Sequence, residues 1–387
     1  MYLSNPFIFI INGFDFLMNR VIRKAGERMK YKRILILFSC CCILLSACST
    51  EEDMKGSNNA DVTVVDKSGE KNTKQEKEEY AVYSAKISDF PSEVNPDMFF
   101  PTTSDYKQVE SDEDEKIWND SKDNYLLCQA GYIFYNSGKF TGSYDNLVWD
   151  DNGKIRENYR ELFGESKIKK KEKAEITEKV SKILDENRIS VSNIDIYYLT
   201  AENLEELSNM VETDEEYEKD LADNPNDKMK RDFDKTDELY VVTMDVTIED
   251  KVLYKNEFHY GSVPYPGSTA WAVYDCNQEL LAFSADGIYQ KTGEVRKATI
   301  MSEKDGKKKF KEKYKDLISK QTVELKELSL LYIPVKGEDK DKKGQYSFIP
   351  AYVFTAEITM DLAKENKDSM KYTDTILLDA ELGKWIE

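Results

Sequence analysis

Among the side chains that could do chemistry, the histidine drops out first. His259, in Asn-Glu-Phe-His-Tyr-Gly, is the only one in 387 residues, so neither a Ser/His/Asp nor a Cys/His relay can be assembled. Ser68-Gly-Glu-Lys71 has S-x-x-K spacing, but it sits in a polar run where no pocket would orient a nucleophile. Carboxylates number 74, and paired-acid glycoside hydrolysis needs only two of them, about 5–9 Å apart in a cleft. No local pattern singles out such a pair. The acidic runs 111–115 and 212–216 lack the turn glycine of a calcium loop and read as solvated loops. There is no Cys/His pattern for zinc, no phosphate-binding glycine loop and no G-x-G-x-x-G. No catalytic residue, metal or cofactor is expected. One reactive side chain is left, the thiol of Cys48.

Its context is specific. Lys30, Lys32 and Arg33 precede the apolar run 34–45, and Leu45-Ser46-Ala47 leads directly to Cys48. A positive end, a short apolar core and small residues before the cut form a secretory signal peptide. The core, 34–45, is too short to span a bilayer permanently. With cysteine after L-S-A, the pattern is that of a bacterial lipoprotein signal: cleavage before Cys48, then diacylglycerol on its sulfur. Two acyl chains, at about 0.8 kcal/mol per buried methylene, make a stable anchor. Residues 1–28 add nothing to this pattern. Ala25-Gly-Glu-Arg28 can be encoded with a purine-rich AGGAG tract shortly ahead of the Met29 codon, so translation is expected to start at Met29.

Composition sets further bounds. From Cys48 to Glu387 the chain carries 48 basic and 72 acidic side chains. That surface repels phosphate backbones, and nucleic acid is not an expected partner. It should also repel anionic lipid headgroups, which leaves the acyl chains to hold the protein at the membrane. Cys40, Cys41 and Cys42 leave with the signal, so Cys128 and Cys276 remain, either as one disulfide or as two buried thiols. Residues 48–79 are polar and nearly free of aromatics, and are read as a flexible tether with a typical reach of roughly 30 Å. The Lys-, Glu-, Asn- and Ile-rich composition fits a low-GC Gram-positive host.

The elements that must position any site are repeated. At a shift of 134, Ile176, Val180, Ile183 and Leu184 fall on Phe310, Tyr314, Leu317 and Ile318. This is one apolar stripe on each of two helices. At the same shift the strand 189–199 falls on 323–333. Tyr240–Glu249 then matches Tyr352–Asp361 at a shift of 112, so the first copy carries 22 extra residues between its first two strands, including a helix over 201–211. The last strands match at a shift of 104, with Asp275 opposite Asp379. Helix–β–β–β twice over is an α+β arrangement, each unit an antiparallel sheet with one helix across it. The first unit is expected over 80–300 and the second over 301–387. Within 80–160, YAVYSAKI, YLLCQAGYIFYNSG and FTGSYDNLVW read as strands that extend the first sheet or cap it.

The C-terminal unit resembles the PepSY-type domain of bacterial secreted proteins and, more loosely, the extracytoplasmic regulators of WalK-type sensor kinases. The residues that carry this are the stripe Phe310–Ile318, the strand Pro350–Phe354 and the ending Leu377-Leu-Asp-Ala-Glu-Leu-Gly-Lys-Trp-Ile386, which is similar to that family's D-A-x-x-G-K-apolar hairpin. The first copy departs from it, since Asp275-Cys-Asn-Gln-Glu279 lacks the turn glycine. The resemblance implies a non-catalytic role, such as binding or restraining a peptidase, a kinase ectodomain or a wall component.

The loop Gly261-Ser-Val-Pro-Tyr-Pro-Gly-Ser-Thr-Ala-Trp271 is stiffened by two prolines. Tyr265 and Trp271 either cover the sheet end or stand out as a contact for a peptide, glycan or protein. Together these features lead to a lipid-anchored protein on the extracytoplasmic face of the cell membrane, binding an envelope protein or wall component without turnover. The alternatives are a solute-binding lipoprotein of a transporter and, third, a carboxylate-dependent wall-active hydrolase.

Overall fold

Apolar residues alternate along most of the folded chain, and alternation makes strands. In Leu239–Ile248, Tyr240, Val242, Met244 and Val246 enter one core while Leu239 and Val241 enter another. The computed structural model describes residues 62–68, 79–112, 114–141, 143–150, 154–211, 232–315, 321–336, 345–361 and 369–386. In chain order the strands are β1 (Val62–Asp66), β2 (Glu79–Ile87), β3 (Lys107–Ser111), β4 (Glu115–Asn119), β5 (Tyr125–Gln129), β6 (Tyr132–Asn136), β7 (Val191–Leu199), β8 (Leu239–Ile248), β9 (Lys251–Val252), β10 (Phe258–Tyr260), β11 (Val263–Tyr265), β12 (Thr269–Asp275), β13 (Leu280–Asp286), β14 (Tyr289–Thr299), β15 (Gln321–Lys336), β16 (Gln345–Asp361), β17 (Ser369–Asp379) and β18 (Trp385–Ile386). The helices are α1 (Phe90–Glu93), α2 (Asp145–Val148), α3 (Tyr159–Phe163), α4 (Lys170–Glu186), α5 (Ala201–Val211) and α6 (Glu303–Lys315). The class is α+β, with more strand than helix.

Two large sheets organise these elements. The first runs β3-β4-β5-β6-β13-β12-β8-β7, with β9 on β8; the second runs β1-β15-β16-β17-β18, with β2 joining β16 to β14. Helix α4 buries Ile176, Val180, Ile183 and Leu184 on one face of the first sheet. On the other face, α2, α3 and α5 bring Leu147, Tyr159, Leu204 and Leu207 onto Val241, Trp271 and Val273. Helix α6 buries Phe310 and Tyr314 against Tyr352, Phe354 and Leu378 of the second sheet. The opposite face of that sheet is covered from the first: Tyr254, Phe258 and Tyr265 pack on Ile333, Ile349, Ala351 and Ile386.

Three chain segments cross where the sheets meet. Ser88 N–H donates to Ile288 O at 3.0 Å, Ile288 N–H to Gly131 O at 3.1 Å, and Gly131 N–H to Ser88 O at 2.7 Å. The end of β2, the β5–β6 turn and the β13–β14 link are thereby fastened in one ring of backbone bonds. Such close approach needs glycine. Gly131 has φ 73°, and a Cβ there would sit 2.6 Å from Ile87 Cγ1. Gly287, at φ 62°, would place its Cβ 2.4 Å from Gly267 O.

Several expectations are corrected. Residues 62–66, assigned to the tether, form β1, parallel to β15 at Gln321–Leu325; their Val-Thr-Val-Val sequence completes an open edge. Strands β2 and β14, assigned to the first unit, belong to the second sheet. The run FTGSYDNLVW is turn and short helix, because Phe140, Tyr144, Leu147 and Val148 supply the contacts of one helical face to the core. Only β3–β6 extend the first sheet. Asp195 pairs with Thr243 and Glu327 with Thr355, so β7 and β15 correspond at a shift of 132. The two-residue difference from 134 preserves which face each side chain points to, and an apolar pattern cannot detect it. Cys128 and Cys276 are both free thiols.

The crossing yields a prediction. Gly131→Ala must adopt positive φ and displace Ile87, and should lower stability by about 2 kcal/mol or more in urea unfolding. A loss below about 0.5 kcal/mol would mean that the crossing relaxes freely.

Candidate functional site

Among the described carboxyls, one whose ionisation is strongly shifted by the fold lies beside this crossing. Asp286 ends β13, paired with Thr269 of β12. One carboxylate oxygen accepts the Gly287 N–H at 2.7 Å. Burial pushes its pKa up to about 6; the charge of Glu257 pushes the same way, and the Gly287 N–H opposes both. Two phenols respond to it. Burial first, then the Asp286 charge, raises Tyr132 and, together with Tyr346, Tyr289. Tyr289 comes from the second sheet and sits 5.0 Å from Tyr346 and 5.1 Å from Phe348, edge-on to both. A half-buried carboxyl between two sheets that changes charge near pH 6 can hold or release a proton there, and a carboxyl so shifted is a functional-site candidate on physical grounds.

Other buried carboxylates are committed to turns. Asp275, 2 % exposed, accepts from Asn277 N and Glu279 N at 2.9 Å and meets Lys139 at 3.1 Å. Asp379, also 2 % exposed, accepts from Glu381 N at 2.9 Å and Leu382 N at 2.8 Å. Gln278 takes φ 62° where Gly383 takes 66°, so the first copy makes its turn without glycine. Asp237 accepts the buried Tyr144 hydroxyl at 2.7 Å.

The residues expected to contact a partner are elsewhere than foreseen. Tyr265 and Trp271 are each 4 % exposed. The Tyr265 ring stacks on Phe258 at 5.1 Å, and its hydroxyl accepts the Lys336 N–H at 2.7 Å. Trp271 meets Trp149 edge-on at 5.6 Å within the first sheet's core. The proline loop thus closes onto the chain's own second sheet, because that sheet's apolar back face needs a cover. His259 is exposed on β10. Cys48 and residues 212–216 lie outside the described residues. In the run 111–115, Asp112 closes the β3–β4 turn on Asp114 N and Glu115 N. Among the described residues no cluster of His, Cys, Asp or Glu could hold a metal ion, and no helix is long and apolar enough to cross a membrane. The Cys128 thiol, buried in β5, is pushed up to about 12 by desolvation, which makes it a packing residue.

Sequence reasoning missed Asp286. The only local signal is the Asp-Gly pair after the apolar run Leu280–Ala285, a turn signature that also forces the carboxylate inward once the second sheet arrives.

No family model matches the chain, and no curated protein matches it. Among solved structures, an uncharacterised protein from Eubacterium rectale is similar in fold, with a TM-score of 0.55 at 13 % identity over 79 % of this chain and 86 % of that one.

The Asp286 environment has a definite sign. Its folded pKa is raised, so the charged form costs stability: the contribution is fully favourable below about pH 4 and is lost as pH rises through about 6. Asp286→Asn should therefore raise stability at pH 7.5 by about 2 kcal/mol and leave it nearly unchanged at pH 4. Urea melts at the two pH values read this directly, and equal stability of both proteins at pH 7.5 would reject it.

Proposed function

We propose that the chain is a lipid-anchored lipoprotein of the extracytoplasmic membrane face, built from two copies of one helix–β–β–β unit. It acts as a non-catalytic binding or regulatory module for an envelope protein or wall component. The observation that carries this reading is the match between the two meanders. β7-β8-β12-β13 and β15-β16-β17-β18 run in the same order, each with a helix on the corresponding face. Tyr240 pairs with Tyr274 where Tyr352 pairs with Leu378. Each first strand bulges immediately before the corresponding residue, Asp195 or Glu327, and each third strand ends on a buried turn aspartate. Register and bulge coincide independently of the apolar pattern, and a duplicated gene is the economical source of both.

The binding role rests on how the chain uses its groups. Buried aspartates close turns, aromatic rings join sheets, and the PepSY-like ending forms the β17–β18 hairpin. Consecutive strands pair with one another, whereas solute receptors alternate strand and helix in two lobes. Anchoring rests on the Leu45-Ser-Ala-Cys48 pattern.

In cells, the wild-type protein should incorporate labelled palmitate and pellet with membranes, while Cys48→Ala should lose the label and shift to the medium. Retained label in that variant would end the lipoprotein reading. Crosslinking in intact cells should recover a particular envelope partner with the wild type and much less of it with the unanchored variant.

A further inference from the structure

We propose that α6 is a membrane-facing surface, its outer lysines lying on anionic phospholipid headgroups beside the anchor. The inference rests on the anchoring at Cys48 proposed above. It starts from a local inversion of charge. The chain as a whole is at −19, yet Glu303–Lys315 holds seven lysines against Glu303, Asp305 and Glu312.

Packing fixes which lysines face out. Gly306, Phe310 and Tyr314 are buried in the sheet, and a Cβ on Gly306 would lie 3.3 Å from the Tyr352 ring. The helix therefore sits close and cannot roll. On the opposite side Lys304, Lys308, Lys311 and Lys315 are all exposed, and their spacing of four, three and four residues makes one stripe. Flanking lysines are otherwise engaged: Lys307 meets Asp66 at 3.4 Å and Glu303 at 3.2 Å, and Lys313 lies 4.8 Å over the Trp385 ring. Two acids are exposed on the outer side: Asp305, which accepts the Ser302 hydroxyl at 2.6 Å, and Glu312, 3.9 Å from Lys308.

The same contacts tie this stripe to β1. Asp66, the partner of Lys307, ends β1, and Val62 begins it. Whatever their conformation, the residues between Cys48 and Val62 can span at most about 50 Å. Helix α6 packs beside β1, the first strand among the described residues after Cys48. With a Debye length of about 8 Å at physiological salt, acidic side chains on distant faces are screened, and the local lysines decide the interaction. Net charge predicts repulsion from anionic lipid; the folded arrangement predicts attraction at this face.

The test separates the stripe from the anchor. Unacylated residues 49–387, which retain the whole compact unit Ala60–Glu387, are sedimented with phosphatidylcholine vesicles with or without about one-third phosphatidylglycerol. Binding should require the anionic lipid and weaken steeply between about 0.1 M and 0.5 M salt. It should weaken roughly fivefold for each lysine replaced in the series K304Q, K308Q, K311Q, K315Q. Replacing Lys170, Lys171, Lys173 and Lys182 of α4 with Gln removes the same charge and should leave binding within about twofold. The proposal is overturned if the mature chain ignores anionic vesicles, if the α4 and α6 variants lose binding equally, or if soluble poly(glycerol phosphate) binds the stripe more tightly than vesicles do. Failure of acylation at Cys48 would remove the anchor without altering any of these readings.

Discussion

The two sheets of this molecule are fastened together at the ring of backbone hydrogen bonds among Ser88, Gly131 and Ile288. Backbone groups buried between two sheets must be paired or they cost free energy comparable to a lost hydrogen bond. Here three segments from distant parts of the chain satisfy one another. The geometry is so close that glycine is required at 131 and 287. Each sheet otherwise has its own helix and core; the crossing makes their stabilities one quantity. It also places the Asp286 carboxylate, one residue before the glycine at which β13 leaves the first sheet, beside the second sheet.

A second link runs from the first sheet to the back of the second. The loop after β9 spends its rings on Ile333, Ile349 and Ile386. The first sheet thus supplies a cover for the second. A sheet with a single helix leaves an apolar face open unless another face hides it. Tyr265, whose hydroxyl receives the Lys336 N–H, makes that cover directional as well as apolar.

What was readable in the chain follows physical period. Ile176, Val180, Ile183 and Leu184 mark α4 because a helix repeats every 3.6 residues, and Leu239–Ile248 marks a strand because side chains alternate. Helix α5 was legible over its full length, Ala201–Val211. FTGSYDNLVW was misread because aromatic residues favour strands on average, while here Tyr144 is drawn inward by Asp237. Asp286 was illegible, since the desolvation that shifts its carboxyl arises only once the chain has folded.

By itself, the sequence determined the α+β class, the helix stripes and the order of strands in each meander, all carried by neighbours along the chain. Only the tertiary structure decided that residues 62–66 cap the edge of β15, that β2 and β14 cross to the second sheet, and that Tyr265 and Trp271 turn inward. It also turned Lys304, Lys308, Lys311 and Lys315 into one outward face. The division is physical: periodicity is local, whereas edge pairing, burial and electrostatic environment depend on residues brought together from far apart in the chain.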